Sequence, residues 1–453
     1  MEDLNGHPDE RPSGVAPRPH LFYGWVVVAV AFITLGITFG IWYSFSVFFL
    51  PILNEFGWSR AGLSGIFSLF ILSQAFAGLL AGYLQDRFGP RIVIPAGALI
   101  LSVCLVLTSR AEAMWHFYVV YGIFAGAGIS LLGFGSHCAF IPNWFERKRG
   151  LALGIAMSGI GFGMLVIIPL AEKAITAFGW RTTYLLLAAV ILLLPGPLNA
   201  VLSRHKPSDM RLRPDGDEPK INDQKAHPSM VVEIVDSQWA SQDWTLSKAA
   251  RTKRLWLIGS AFFFTSYVYQ GTLVHAVSAM VDMGIERETA ACYFGLLGIM
   301  GSAGKILFGY LSDRSGRERV NTLAAVINAA GIMCLMHAQA MPRLLPLLFA
   351  LLFGLGYGAG APIFPSVAAD IFLGRSFGVI FAVIVICAGM GGSLGPVISG
   401  WLRDVTGTYS TSFMTALASL SFSCLFVWLA APRKVRRMAK LHHEMPAKQR
   451  AMP

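Results

Sequence analysis

The sequence predicts an all-α polytopic membrane protein, with twelve transmembrane helices in two pseudo-symmetric six-helix halves. Three observations carry this. The 453 residues are 55% hydrophobic and 13% charged, with a mean hydropathy of +0.59, about half the charge of an ordinary soluble domain. Twelve apolar stretches are long enough to cross a hydrocarbon core of ~30 Å as helices. The two halves of the chain also repeat one motif in one register.

In chain order, residues 1–21 form a polar, Pro-rich tail with no apolar signal-peptide core, so the first span would itself direct insertion. The first half, 22–202, carries spans at 22–50, 61–84, 92–109, 115–141, 151–171 and 183–202. A polar segment, 203–254, holds Pro207, Pro214, Pro219 and Pro228. The second half, 255–431, carries spans at 255–281, 289–312, 320–338, 344–369, 376–401 and 412–431, and 432–453 is a tail.

Orientation follows from Lys and Arg. Of 36, 28 fall on the side of both tails and the central segment, 7 on the other, and Lys305 lies inside a span. The positive-inside rule makes the tail side cytoplasmic. The same bias explains the net charge of +11 without nucleic acid. Cys104, Cys138, Cys292, Cys334, Cys387 and Cys424 lie in apolar stretches without CxxC spacing, which reads as small buried hydrophobes rather than a disulfide or zinc framework. Composition thus excludes disorder, a secreted disulfide scaffold and an ordinary cytosolic enzyme.

The repeat is specific. Gly82-Tyr-Leu-Gln-Asp86-Arg87-Phe-Gly89-Pro-Arg91 follows the second span, and Gly309-Tyr-Leu-Ser-Asp313-Arg314-Ser-Gly316-Arg317 follows the eighth, 227 residues later. That offset also carries Gly57 to Gly284 and Arg60 to Arg287, and an offset of 228 carries Gly150 to Gly378 and Gly179 to Gly407. Two structural repeats with a pathway between them are the plan of secondary transporters.

The GxxxDRxGxR pattern resembles the loop motif of the major facilitator superfamily. Three further stretches, Ser44-Phe-Ser-Val-Phe-Phe-Leu-Pro51, Trp144-Phe-Glu-Arg147-Lys-Arg149-Gly-Leu-Ala-Leu-Gly154 and Gly389-Met-Gly-Gly-Ser-Leu-Gly395-Pro396, resemble the monocarboxylate transporter family and its bacterial oxalate/formate-antiporter-like relatives. The resemblance spans residues 22–431. It implies that the cluster of Asp86, Arg87, Asp313 and Arg314 latches the cytoplasmic side when the other side is open. Carboxylates at helix ends can face a helix N-terminus or an Arg; the alternative is a topology signal of Arg and Lys.

Lys305 is the most informative candidate. It lies mid-span in Gly301-Ser-Ala-Gly304-Lys305, where a charge costs at least ~3 kcal/mol on insertion scales. Asp313, at the helix end, is about 12 Å away, beyond an ordinary snorkel, so Lys305 should face a wet cavity or a partner. The resemblance implies that this eighth-helix position, usually Arg, grips the substrate carboxylate. Lys keeps the charge and loses the bidentate fork, and a buried Lys can itself exchange a proton. Where eukaryotic relatives often carry an Asp one turn earlier, this chain has Gly301.

His137 and His275 are candidates for the pathway or for bonds to backbone carbonyls. Asp282, at the outer end of the seventh span, resembles an acidic position of the bacterial relatives; a solvated helix end is its other reading. Tyr357 matches a cavity-facing tyrosine of the family and could donate to a carboxylate, or simply pack. Tyr43 and Tyr267 are weaker cases of the same kind. The Gly-rich runs at 159–163 and 389–395 lie in apolar spans and read as helix packing. Walker and HExxH motifs are absent, so no metal or cofactor is expected and the chain does not read as an enzyme.

The expected function is secondary active transport of a small organic anion, a monocarboxylate as the resemblance implies. Alternating access would move it, Lys305 would neutralise its carboxylate and proton symport would couple the cycle. The alternatives are an anion exchanger of the oxalate/formate type and a non-transporting membrane sensor on the same fold, although 203–254 is short and polar for a signalling domain. Expected partners are the anion, protons and membrane lipids. The expected state is a monomer in a plasma membrane, a bacterial inner membrane, with both termini cytoplasmic.

Overall fold

A computed structural model describes residues 22–145, 149–204, 206–210, 212, 231–374 and 376–439. Ten of its helical stretches are apolar and long enough to cross a membrane. One of them, Leu151–Leu202, is really two spans. Its helix runs through Gly179, whose backbone at φ 80°, ψ 161° breaks the winding. Only glycine adopts that conformation without strain. The remaining span is Lys253–Asp282, whose interior Ser, Thr, Gln and His lower its hydropathy while 17 of its 30 residues are buried. A polar helix buried in a membrane bundle faces a pathway rather than lipid.

The spans are therefore α1 (Tyr23–Phe56), α2 (Arg60–Phe88), α3 (Pro90–Ser109), α4 (114–144), α5 (149–178), α6 (180–202), α7 (Lys253–Asp282), α8 (Arg287–Ser315), α9 (Arg317–Met336), α10 (344–372), α11 (Phe377–Thr406) and α12 (Ser410–Ala430). They match the expected spans, but most run a few residues further. α1 begins and α12 ends on one face, here the tail side. α4 is interrupted at Gly133, where the backbone is extended.

Small residues let helices approach within each half. A Cβ on Gly36 of α1 would stand 2.9 Å from the Gly159 carbonyl oxygen of α5, and one on Gly163 would run into the Gly36 carbonyl. Overpacking of this kind costs about 1–3 kcal/mol. Gly163→Val is accordingly expected to lower the melting temperature of the purified protein, with Gly154→Val, which meets open space, as the neutral control.

The central segment is more than a polar linker. Val231–Ile234 (β1) pairs antiparallel with Arg436–Ala439 (β2), from Val231 opposite Ala439 to Ile234 opposite Arg436. This small sheet is an exception to the all-helical expectation, and it ties the central segment to the C-terminal one. The Trp239 indole N–H donates to Ile371 O at the end of α10 (2.9 Å), and Trp244 sets the edge of its ring against Phe372. Pro214, Pro219 and Pro228 lie outside the described residues. Among the described cysteines all are free, and Cys292 is exposed rather than buried.

Candidate functional site

The site lies between the halves, and its outer end, the one opposite the tails, is closed by charge. Asp282, where α7 ends, accepts from Arg60 of α2 (3.1 Å) and from Arg403 of α11 (3.0 Å). Asp404 accepts the backbone N–H groups of Arg60 (3.2 Å) and Ala61 (2.9 Å). It thereby caps the positive N-terminus of α2 from the opposite half. Arg60 donates to the Tyr409 hydroxyl (2.7 Å), which is 3.1 Å from His275 Nδ1. His275 Nε2 lies 3.0 Å from Pro396 O and 3.1 Å from Ser64 Oγ. A carbonyl only accepts, so Nε2 carries the proton and Nδ1 accepts from Tyr409. Asp282 is thus a cross-half ion-pair centre, not a solvated helix end. His275 belongs to this closure, roughly 15 Å along the membrane normal from Lys305 by helix rise, and does not join it.

The second seam, α5 against α8, is closed in the same way. Arg287 Nε lies 3.0 Å from Glu172 Oε1, and the Glu172 side chain is fully buried. Arg60 and Arg287 are equivalent in the repeat, so one closure device is used twice. Towards the midplane, Ser302 of α8 donates to Ser158 O of α5 (3.4 Å).

Lys305 lies one turn beyond Ser302 towards the tail side, half-buried, and its ammonium has no hydrogen bond or ion pair among the described residues. On α10, Tyr357 shares a hydrogen bond with Tyr43 of α1 across the halves (2.6 Å). Its ring occupies the room beside Gly301: a Cβ there would stand 3.1 Å from Tyr357 Cδ1. The acid expected from the relatives is therefore replaced by a packed tyrosine.

From the midplane to the tail side, no hydrogen bond or ion pair joins the halves among the described residues. A cavity of about 340 Å³ opens there instead, lined by Trp42, Gln74, Gly78, Ser130, Gln270 and Gly389 among others. Trp42 Nε1 and Gln270 Oε1 are buried without hydrogen-bond partners among the described residues. Among the described residues, neither Lys305 nor any other charged side chain lines this cavity.

The family model of the Major Facilitator Superfamily matches residues 30–384 and again 302–448. The chain belongs to the Major Facilitator Superfamily. Among its relatives, Monocarboxylate transporter 12 of Rattus norvegicus is 26% identical over 431 residues, 92% of this chain and 87% of the relative. Monocarboxylate transporter 13 of Bos taurus is 28% identical, over 89% of this chain and 88% of the relative. The solved D-xylose–proton symporter superposes with a TM-score of 0.67 at 16% identity, over 90% of this chain and 98% of that one. A bacterial homologue of the human lysosomal transporter Spinster, in an inward-facing and occupied conformation, superposes at 0.65 and 16% over 90% and 97%. The chain is therefore an integral membrane transporter of this superfamily and not an enzyme.

The Asp86 side chain lies outside the described part. Arg87 bonds Tyr83 of its own helix (3.0 Å), Asp313 bonds Arg317 (2.6 Å), and Arg314 lies over the Tyr310 ring. None of these three reaches the other half, as fits an open tail side. His137 is buried with Nδ1 3.0 Å from Gly133 O, at the break in α4, and Tyr267 bonds Thr415 of α12 (3.1 Å). Both make these bonds within their own halves, and neither is among the residues that line the cavity, although Gly133 and Ser136 beside His137 are. Glu172 escaped notice because it falls one residue past the expected end of the fifth span. Trp42 carried no signal in the apolar first span, and Gln270 none beyond the polar character of the seventh.

Proposed function

We propose that the protein is a secondary active carrier of a small organic anion, a monocarboxylate, that works by alternating access between its halves. The observation that carries this reading is Lys305: a cation held deep in a membrane helix at the seam of two halves, without a counter-charge among the described residues. The closed outer seams and the cavity on the tail side correspond to an inward-open carrier, with the tail side cytoplasmic by its surplus of Lys and Arg. The names of the monocarboxylate transporter relatives support the substrate class.

Coupling follows from charge. A monocarboxylate on Lys305 makes the loaded site near neutral, which favours its passage through the low-dielectric midplane. The empty site keeps its charge, so the carrier returns either after shedding a proton or with a second anion. Proton symport is the reading preferred here. Uptake into proteoliposomes should rise as external pH falls, an inward proton gradient should drive accumulation into anion-free vesicles, and a proton ionophore should suppress it. Accumulation that ignores the gradient and needs preloaded anion selects the exchanger.

A further inference from the structure

A second basic feature lies outside the transport pathway. Where α8 ends and α9 begins, a pocket of about 250 Å³ on the tail side is lined by Arg314, Arg317, Arg319, Arg433 and Arg436. Among the described residues two carboxylates, Glu318 and Asp370, share the lining and Asp313 pairs with Arg317 beside it, so five guanidinium groups face three acids, a surplus of two positive charges.

The five arginines divide by what they already hold. Arg317 is committed, pairing with Asp313 (2.6 Å) and Asp370 (3.2 Å). Arg436 caps the end of α10 through Ala369 O and Asp370 O, both at 3.1 Å. Arg319 is exposed and makes no hydrogen bond or ion pair among the described residues. Arg314 has only the ring of Tyr310, 4.2 Å from its Cζ. Arg433 lies over Trp428 at 4.5 Å and reaches Glu318 only at 3.9 Å. The first turn of α9 lines the same pocket, and its N-cap, Gly316, has no side chain to satisfy the helix N–H groups. Free guanidinium groups converging on an uncapped helix start form a phosphate-binding arrangement.

The depth of the rim narrows the ligand. Tyr310 is 52% exposed and Trp428 36% exposed, both on membrane spans near their tail-side ends. Exposed Tyr and Trp at that level mark the headgroup region of a bilayer, and basic pockets there suit anionic headgroups.

We propose that this arginine-lined pocket between α8, α9, α10 and β2 binds a phosphate group, that of an anionic phospholipid headgroup or a free phosphate. Because β2 pairs with β1, an occupant would join the α8–α9 turn, α10 and the central segment in one cytoplasmic unit.

The full-length protein is reconstituted in nanodiscs of phosphatidylcholine, with or without added phosphatidylglycerol, and its melting temperature is read. Phosphatidylglycerol should raise it by several degrees. The Arg319→Gln/Arg433→Gln variant should lose more than half of the shift, Arg319→Lys/Arg433→Lys should keep part of it, and Arg251→Gln, an exposed tail-side control, should keep all of it. Inorganic phosphate added to phosphatidylcholine discs tests the soluble source: a shift that the double Gln variant loses supports the site with free phosphate as its ligand. Equal loss in the double Gln variant and the Arg251 control would mean diffuse surface attraction and overturn the proposal. So would the absence of any shift with either probe.

Discussion

Lys305→Gln is expected to leave the protein folded and to abolish carboxylate uptake. On the proposed reading Lys305 supplies the charge that pairs with the anion, and breaking such a desolvated pair costs about 2–5 kcal/mol, a loss of roughly thirty- to several thousandfold. Gln is close in length and pays no burial cost for charge, so the melting temperature should hold or rise. Lys305→Arg should keep part of the uptake, since guanidinium binds carboxylate at least as well. Its larger head must fit beside the α8–α10 contact, where Gly304 and Gly358 bring the backbones together. Radiolabelled uptake into proteoliposomes, paired with thermal melts, reads both variants. Normal uptake by the Gln variant would remove Lys305 from the mechanism, and with it the main argument for an anionic substrate.

The second large effect is expected at the outer closure. Asp282→Asn removes the charge that holds Arg60 of one half and Arg403 of the other, while nearly preserving shape. The three side chains are 13–24% exposed, so the pairs are screened less than surface ones. A coupling of about 1–3 kcal/mol between closure and conformation corresponds to a five- to 150-fold shift in the balance of states. Spin labels at Asn54 and Glu288, on the outer ends of α1 and α8, should move apart in the variant and stay close in the parent. An unchanged distance distribution would mean that Asp404 on the α2 N-terminus and the Glu172–Arg287 pair hold the closure without Asp282.

The reach of the sequence can be judged from particular residues. Arg60 and Arg287 were visible as repeat partners, since a shared offset needs no knowledge of contacts. Their carboxylates were not: Asp282 lies 222 positions from Arg60 and Glu172 lies 115 before Arg287, and no local pattern links them. Lys305 stood out because a single charge in an apolar run is costly wherever the helix points. His137 and His275 looked alike for the same reason, each a lone imidazole in a span. Packing then separated them, one bonded to the break in its own helix and the other to the outer closure.

What the sequence determined by itself was the set of twelve spans, their division into two repeats and the deep cation on the eighth helix. These follow from transfer free energies that add residue by residue along a helix and from a repeat that is itself a sequence property. What only the tertiary structure decided was which face each helix turns inward, which half supplies the partner of each charge, and which side of the carrier is closed. Those depend on helix rotation and on contacts between segments hundreds of residues apart. There a displacement of one residue turns a side chain by about 100° around a helix of 3.6 residues per turn, from lipid to pathway.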